Sequence, residues 1–293
     1  MDIEPLAVIA QPSLVAATRK HHGLGNRVRV VLGARSLARV EGRRFFYVWQ
    51  TGPQFDAKFS DLWKVSEREI ALTTARVLSL RYPFRDETLR WLPEARNERV
   101  LQIRTPHALV LPDGATPWEE ELQQLHPVEE ISAAVHEFFD AHLAGEPYIG
   151  VMVRAHEHSH AATLKESPVE WYLTRMREIR EIHPKIRFFV SADTREAELT
   201  VVENIPGAVA LANKGGYNSR AGLRSSVADL YLLAASSHVL APHFSSFPEL
   251  AQKLAGPGLR LETSMTGAPS RLEASDMMWH VIDPTHPHVR QHA

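Results

Sequence analysis

Tyr148-Ile-Gly-Val-Met-Val-Arg154-Ala-His156-Glu-His158-Ser-His160 drives an apolar run into one arginine, three histidines and a glutamate. A short, β-branched, continuous apolar run of this kind reads as a strand covered on both faces, which is the habit of parallel sheets. In open α/β sheets ligands sit outside the carboxyl ends of the strands, so an arginine fixed at that point suits an anion or a phosphate. A charged strand end with solvated imidazoles accounts for the same residues equally well from this segment alone.

Working outward, the pattern alternates. Strand Tyr148 to Arg154 is followed by helix Pro168 to His183, strand Ile186 to Ser191, helix Thr194 to Glu203 and strand Ala208 to Ala212. Helix Leu223 to Ser236, strand His238 to Ala241 and helix Phe247 to Leu254 continue it, which predicts a doubly wound sheet. Toward the N-terminus, Ser13 to Thr18 and Arg44 to Trp49 read as strands. Between them, apolar residues at 28, 31, 32, 34, 37 and 38 have helical spacing. That βαβ opening predicts a first parallel sheet.

From Gln50 to Pro112 the aromatic residues Phe55, Phe59, Trp63, Tyr82, Phe84 and Trp91 have no clean period. Strands are expected there over Val77 to Tyr82 and Val100 to Arg104, with helices over Trp118 to Leu125 and Val128 to Leu143. Gly145-Glu-Pro147 marks a break. The expected division is 1–145, a first Rossmann-like domain on the acceptor side; 146–275, a second, nucleotide-binding one; and 276–293, a loose tail without chemistry.

At 293 residues there is length for two α/β domains, and 44% hydrophobic with 23% charged residues is ordinary for a globular chain. The absence of cysteine excludes disulfides, thiolate metal sites and thiol nucleophiles. A formal charge of −2, from 33 Lys and Arg against 35 Asp and Glu, supplies no global field for nucleic acid. No run approaches a membrane span, and Met1-Asp-Ile-Glu-Pro-Leu shows no basic region before an apolar stretch. The expectation is a cytoplasmic protein without nucleic-acid or membrane partners; oligomeric state has no signature in the sequence.

Two glycine-rich turns follow strands: His22-Gly23-Leu-Gly25-Asn26-Arg27 and Asn213-Lys214-Gly-Gly-Tyr217-Asn218-Ser219. The first offers close backbone approach at a helix start but lacks the third glycine of a dinucleotide fingerprint, and a tight βα turn capped by Asn26 serves as well. The second brings a cation and an aromatic face, as a nucleotide loop or a plain surface loop would. Ser167-Pro-Val-Glu170, Asp193-Thr-Arg-Glu196 and Ser246-Phe-Pro-Glu249 have the spacing of capping boxes. His156, His158 and His160 alternate, and on an extended segment they would line one side like metal ligands.

Gly23-Leu-Gly-Asn-Arg27, Val151-Met-Val-Arg154, Phe188-Phe-Val-Ser-Ala-Asp193, Ser225-Ser-Val-Ala-Asp229-Leu and Phe244-Ser-Ser246 stand in one order over residues 21 to 255. The set resembles the fucosyltransferase superfamily, namely the nodulation-factor, α-1,6- and protein O-fucosyltransferases. The resemblance implies a GT-B architecture, two Rossmann-like domains facing a cleft with GDP-fucose bound. It also implies inverting, metal-independent transfer to the hydroxyl of a small-molecule or glycan acceptor, with no cofactor beyond the nucleotide-sugar donor.

Carried over residue by residue, the resemblance gives Arg154 the donor's β-phosphate and Ser245 and Ser246 further phosphate contacts. Asp229 and Asp193 become donor-side carboxylates, and Gly25, Asn26 and Arg27 a loop toward donor and acceptor. From the residues themselves, Lys214 joins the nucleotide-sugar set through its glycine-rich turn and His156 through a loop that folds back, and Glu157 is taken as the base, in competition with His156, His158, His160 and Glu166. The family usually has His-x-Arg where this chain has Met152-Val-Arg154, so the base-contacting histidine is missing and another nucleotide sugar becomes admissible. The alternatives are a non-catalytic nucleotide-sugar or glycan-binding protein, told apart by binding without turnover, and a metal-dependent hydrolase using the three histidines, told apart by metal analysis.

Overall fold

The computed structural model describes residues 5–85, 97–157, 159–266 and 279–292. The chain forms two compact units, Met1–His126 with Asn218–Arg220, and Pro127–Tyr217 with Ala221–Ala293. Trp91 and His158 lie outside the described residues.

The first unit opens with helix α1 (Pro5–Ile9), β1 (Ser13–Ala17), α2 (Leu24–Val40) and β2 (Arg44–Val48), the expected βαβ unit. β3 (Arg68–Glu69), α3 (Leu72–Ser79), β4 (Phe84–Arg85), β5 (Val100–Ile103) and α4 (Trp118–Gln123) complete it. All pairings are parallel, in the order β3-β2-β1-β5-β4. The strand expected over Val77 to Tyr82 is instead α3, continued by turns. Thr74, Ala75 and Leu78 are buried at helical spacing, whereas Val77 and Leu80 face outward, 54% and 89% exposed. Apolar residues left on the solvent side blurred the period.

Of the aromatic residues without a period, Phe55, Phe59 and Trp63 gather around Trp49, whereas Tyr82 and Phe84 pack against the core of Val15 and Val48. Phe59 stacks on Trp49 at 4.8 Å and meets Tyr47 at 5.7 Å and Trp63 at 5.5 Å, while Trp49 Nε1 donates to Ala57 O at 2.9 Å. A loop folded over a strand end needs no repeat, because its packing comes from shape and not from a helix or strand face.

The second unit begins with α5 (Glu129–His142), which the sequence reading set before a boundary near Gly145. It packs here through Phe138 against Phe189 at 5.6 Å, and through Phe139 against Tyr148 at 6.3 Å. Then come β6 (Tyr148–Val153), α6 (Ala161–Glu166), α7 (Val169–Ile182), β7 (Arg187–Ala192), α8 (Arg195–Asn204), β8 (Ala208–Val209) and α9 (Arg220–Ala234). β9 (His238–Leu240), α10 (Ser246–Ala255) and β10 (Arg260–Glu262) follow. The five strands are parallel in the order β10-β9-β6-β7-β8. The chain winds outward from β6 to β8, then returns past β6 to β9. The gap between β6 and β9 is therefore the topological switch point, where α/β sheets take their ligands.

Period two splits β6 and β7. Ile149, Val151, Val153, Phe188 and Val190 pack with Tyr172, Met176 and Ile179 of α7 and Ala197 and Val201 of α8. Gly150, Met152 and Ser191 point to the other face. A Cβ on Gly150 would lie 2.9 Å from Leu233 Cδ2 and 3.0 Å from Ser236 Oγ, so α9 and the turn after it approach only because glycine stands there.

The C-terminal segment is not the loose tail expected from its composition. β11 (Trp279–Val281) and β12 (Arg290–His292) pair antiparallel. Arg290 donates to Ala234 O at 2.6 Å and Ser236 O at 3.0 Å, satisfying carbonyls at the end of α9. His136 on α5 and His286 lie 3.1 and 2.7 Å from Asp283; against the opposing effect of burial, Thr285 and His286 draw its carboxyl down to about 2.

Candidate functional site

The site of the second unit is built at the strand exits. Arg154 leaves β6, Asp193 leaves β7 on the neighbouring strand, and the two meet with Nε to Oδ2 at 3.3 Å. Asp193 Oδ1 accepts from the backbone N–H of Ala155 at 2.7 Å and of His156 at 3.1 Å, and Ser159 Oγ donates to Oδ2 at 3.3 Å. One buried carboxylate thus fixes both the guanidinium and the loop that follows it. Arg154 remains 29% exposed, and among the described residues Asp193 is its ion-pair partner. Its outer amino groups keep their forked geometry for a bidentate oxyanion.

Capping differs from the sequence reading in all three places. Thr194, not Asp193, caps α8 by accepting from Ala197 N at 3.3 Å, which releases Asp193 for the β6 loop. Pro168, not Ser167, precedes α7, and Ser167 Oγ accepts from His243 N at 2.8 Å, tying the β9 exit to α6. Ser245 is the N-cap of α10, yet its side chain makes no cap hydrogen bond, and Ser246 is an exposed first helical residue. Both hydroxyls therefore stand beside the unsatisfied N–H groups of a ten-residue helix.

Lys214 and Asp229 are brought together, but with each other. Lys214 Nζ lies 2.8 Å from Asp229 Oδ2 and 2.9 Å from Glu198 Oε2; Ser191 Oγ donates to Asp229 at 2.7 Å, and Arg195 pairs with Glu198. Burial alone would pull the lysine pKa down, but the two carboxylates outweigh it and hold the ammonium charged. Asp229 is pushed up by burial against the opposing lysine and serine, and its Oδ1 has no hydrogen-bond partner among the described residues. The positive charge of Lys214 is thus already matched by acidic neighbours, unlike that of Arg154. Gly215 lies against α9: a Cβ there would fall 2.5 Å from Ala221 Cβ and from Gly222 N, so the glycine pair serves close packing.

Of the alternating histidines, His156 and His160 turn to different partners. His156 stacks on Tyr217 at 4.3 Å, and His160 stacks on Phe244 at 5.0 Å while its Nδ1 caps α6. Among the described residues no group of three or more His, Asp or Glu could hold a metal ion. Glu157 is exposed on the same loop as Arg154, and Glu166 pairs with Lys165 at 3.1 Å. Met152 is 3% exposed, so a thioether fills the sheet face where a polar ring could have stood.

In the first unit Gly25 and Asn26 lie in the opening turn of α2, Gly25 buried and Asn26 half-buried. Arg27, expected as a second cation facing a ligand, is fully buried. Its guanidinium donates to His22 O at 2.7 Å, Gln50 O at 2.5 Å, Lys20 O at 3.1 Å and Thr18 Oγ1 at 3.4 Å, and it lies 4.1 Å from the Phe55 ring centre. Burial lowers its pKa to about 10. Loop carbonyls folded inward use its fork, which a helical period could not foretell. Burial, followed by His21 and the nearby arginines, lowers His22 to about 4.

Sequence reasoning missed Ser191, Ser159, Glu198 and Phe244. Ser191 alone had a signal, since period two sets it on the face of Asp193; the others depend on which loops and helices meet at the strand exits.

No protein-family model matches the chain, and no curated protein sequence matches it. Solved structures share its fold. Fucosyltransferase NodZ from Bradyrhizobium superposes with a TM-score of 0.56 at 18% identity, over 82% of this chain and 93% of that one. POFUT1 in complex with GDP gives 0.56 at 13% identity, over 87% and 99%. Arabidopsis thaliana FUT1 in complex with GDP gives 0.53 at 13% identity, over 86% and 70%. The two-sheet α/β fold of this chain is that of solved fucosyltransferases.

Proposed function

We propose that the chain is a glycosyltransferase that moves a sugar from a nucleoside diphosphate to an acceptor hydroxyl, with GDP-fucose as the first donor to test. The observation that carries this reading is Arg154. It is a partly exposed guanidinium at the exit of the central strand, beside the switch point, clamped from behind by Asp193. Such a fork stabilises the charge that grows on a departing diphosphate, the interaction that accelerates transfer because it is stronger in the transition state. NodZ soaked with GDP-fucose and POFUT1 with GDP, which share the fold, support the choice of donor.

Each residue then has one task. Arg154 holds the phosphate nearest the sugar, and Ser245, Ser246 and the start of α10 hold the diphosphate from the β9 side. Asp193 is a positioning residue that acts through Arg154 and the 155–156 backbone. Glu157 takes the acceptor proton as general base, so attack opposite the leaving group inverts the anomeric centre without a metal. The acceptor is a small molecule or glycan.

Calorimetry with GDP and UDP, followed by turnover of GDP-fucose over an acceptor panel, tests the reading. GDP binding that disappears in a folded Arg154→Ala protein supports it. Undiminished binding and turnover in that variant would sink the phosphate assignment.

A further inference from the structure

Phe244 is the residue of the β9 exit that packing does not explain. It is 68% exposed, and its φ of +63° lies in the left-handed region that disfavours every residue with a Cβ. A large apolar side chain in solvent on a strained backbone contributes nothing to the core. Such outliers persist where the surroundings hold them for a use.

The surroundings do hold it. His160 stacks on one face of the ring, with centroids 5.0 Å apart and planes 17° from parallel, and His243 meets it at 5.4 Å with planes 68° apart. His160 is itself immobilised, because its Nδ1 accepts from Ala162 N at 3.2 Å as the N-cap of α6. Thr163 Oγ1 donates to Phe244 O at 3.4 Å, and His243 N donates to Ser167 Oγ at 2.8 Å. The phenyl ring is thus braced on one side and open on the other. It immediately precedes Ser245 and the start of α10, at the switch point between β6 and β9.

We infer that the open face of Phe244 is the stacking platform for the nucleobase of the bound nucleoside diphosphate. This rests on the nucleotide-donor reading above and adds how the base is held. A diphosphate bound at Arg154 and the start of α10 leaves its planar ring, one ribose away, in need of a flat partner, and Phe244 is the exposed ring next to Ser245. An aromatic face accepts any base through its π-surface and does not read its edge. With Met152 buried on the sheet, the chain grips the base by stacking and discriminates weakly among purines.

Calorimetry of wild type, Phe244→Gly and Phe244→Tyr with GDP, ADP and inorganic pyrophosphate tests this. Glycine suits a φ of +63°, so Phe244→Gly removes the ring without strain and keeps or raises Tm. The expected result is a loss of about tenfold or more in affinity for both GDP and ADP, with pyrophosphate unchanged and Phe244→Tyr close to wild type. Unchanged GDP affinity in Phe244→Gly overturns the platform while the donor reading stands. A parallel loss for GDP and pyrophosphate also overturns it, because the ring would then only shape the phosphate loop. If the wild type binds no nucleoside diphosphate, the donor reading fails and takes this inference with it.

Discussion

Arg27 and Arg154 both follow the first central strand of a parallel sheet, and the two units use them in opposite ways. Arg27 is fully buried and gives its fork to Thr18 Oγ1, Lys20 O and His22 O of its own loop and to Gln50 O beyond β2, with Phe55 against the guanidinium. Arg154 is 29% exposed and touches one carboxylate through its inner nitrogen. A guanidinium has five donors in a fixed fork. Where the loop folds inward and consumes them, arginine is structural; where a neighbouring strand end holds only Nε, the outer pair stays available to a ligand.

The largest effect expected from breaking this contrast is on stability. Arg27→Met orphans Lys20 O, His22 O and Gln50 O, and unfolding by denaturant should show a loss of roughly 3 kcal/mol or more. Arg27→Lys recovers only part, because an ammonium cannot reproduce the fork. A stability change under about 0.5 kcal/mol in Arg27→Met would make it an ordinary surface substitution and erase the contrast.

Arg154→Ala is the mirror case. Its Tm should stay close to wild type while transfer falls by about 10²–10³-fold, the usual magnitude for one donor aimed at developing charge. A cooperative loss of folding instead would assign Arg154 to structure as well.

A smaller effect sharpens the positioning role. Asp193→Asn removes the charge but keeps one acceptor oxygen for the loop N–H groups, so kcat should drop by about tenfold with KM for acceptor unchanged. Equal activity in this variant would show that Arg154 orients itself unaided.

The smallest effect is a pH dependence in the first unit. His22 has its folded pKa lowered from 6.5 to about 4, so the folded state refuses a proton that the unfolded chain accepts. That contribution to stability is fully present above pH 6.5 and is lost as the pH falls from there toward 4. Thermal unfolding between pH 7 and 4 should show a shallower decline for His22→Gln than for wild type, and parallel curves would refute it.

Much of the fold was legible in the chain. The run 148–154 and the alternation after it announced a parallel sheet, because a strand covered on both faces must be apolar throughout. Arg154, Asp193, Ser245 and Ser246 were readable as strand-end and helix-start residues. α3 was misread because Val77 and Leu80 are apolar yet exposed, and the C-terminal hairpin because its histidines and prolines read as tail composition.

By itself, then, the sequence determined the elements that alternate from β6 to α10 and the points where their strands stop, since these depend on local periodicity. Only the tertiary structure decided which polar groups meet. That Asp193 clamps Arg154, that Lys214 is matched by Asp229 and Glu198, that Arg27 is enclosed by carbonyls and that Phe244 stands open beside His160 all follow from strand ends, helices and loops meeting at the exits of the strands. Such pairings are set by strand order, and no spacing along the chain encodes them.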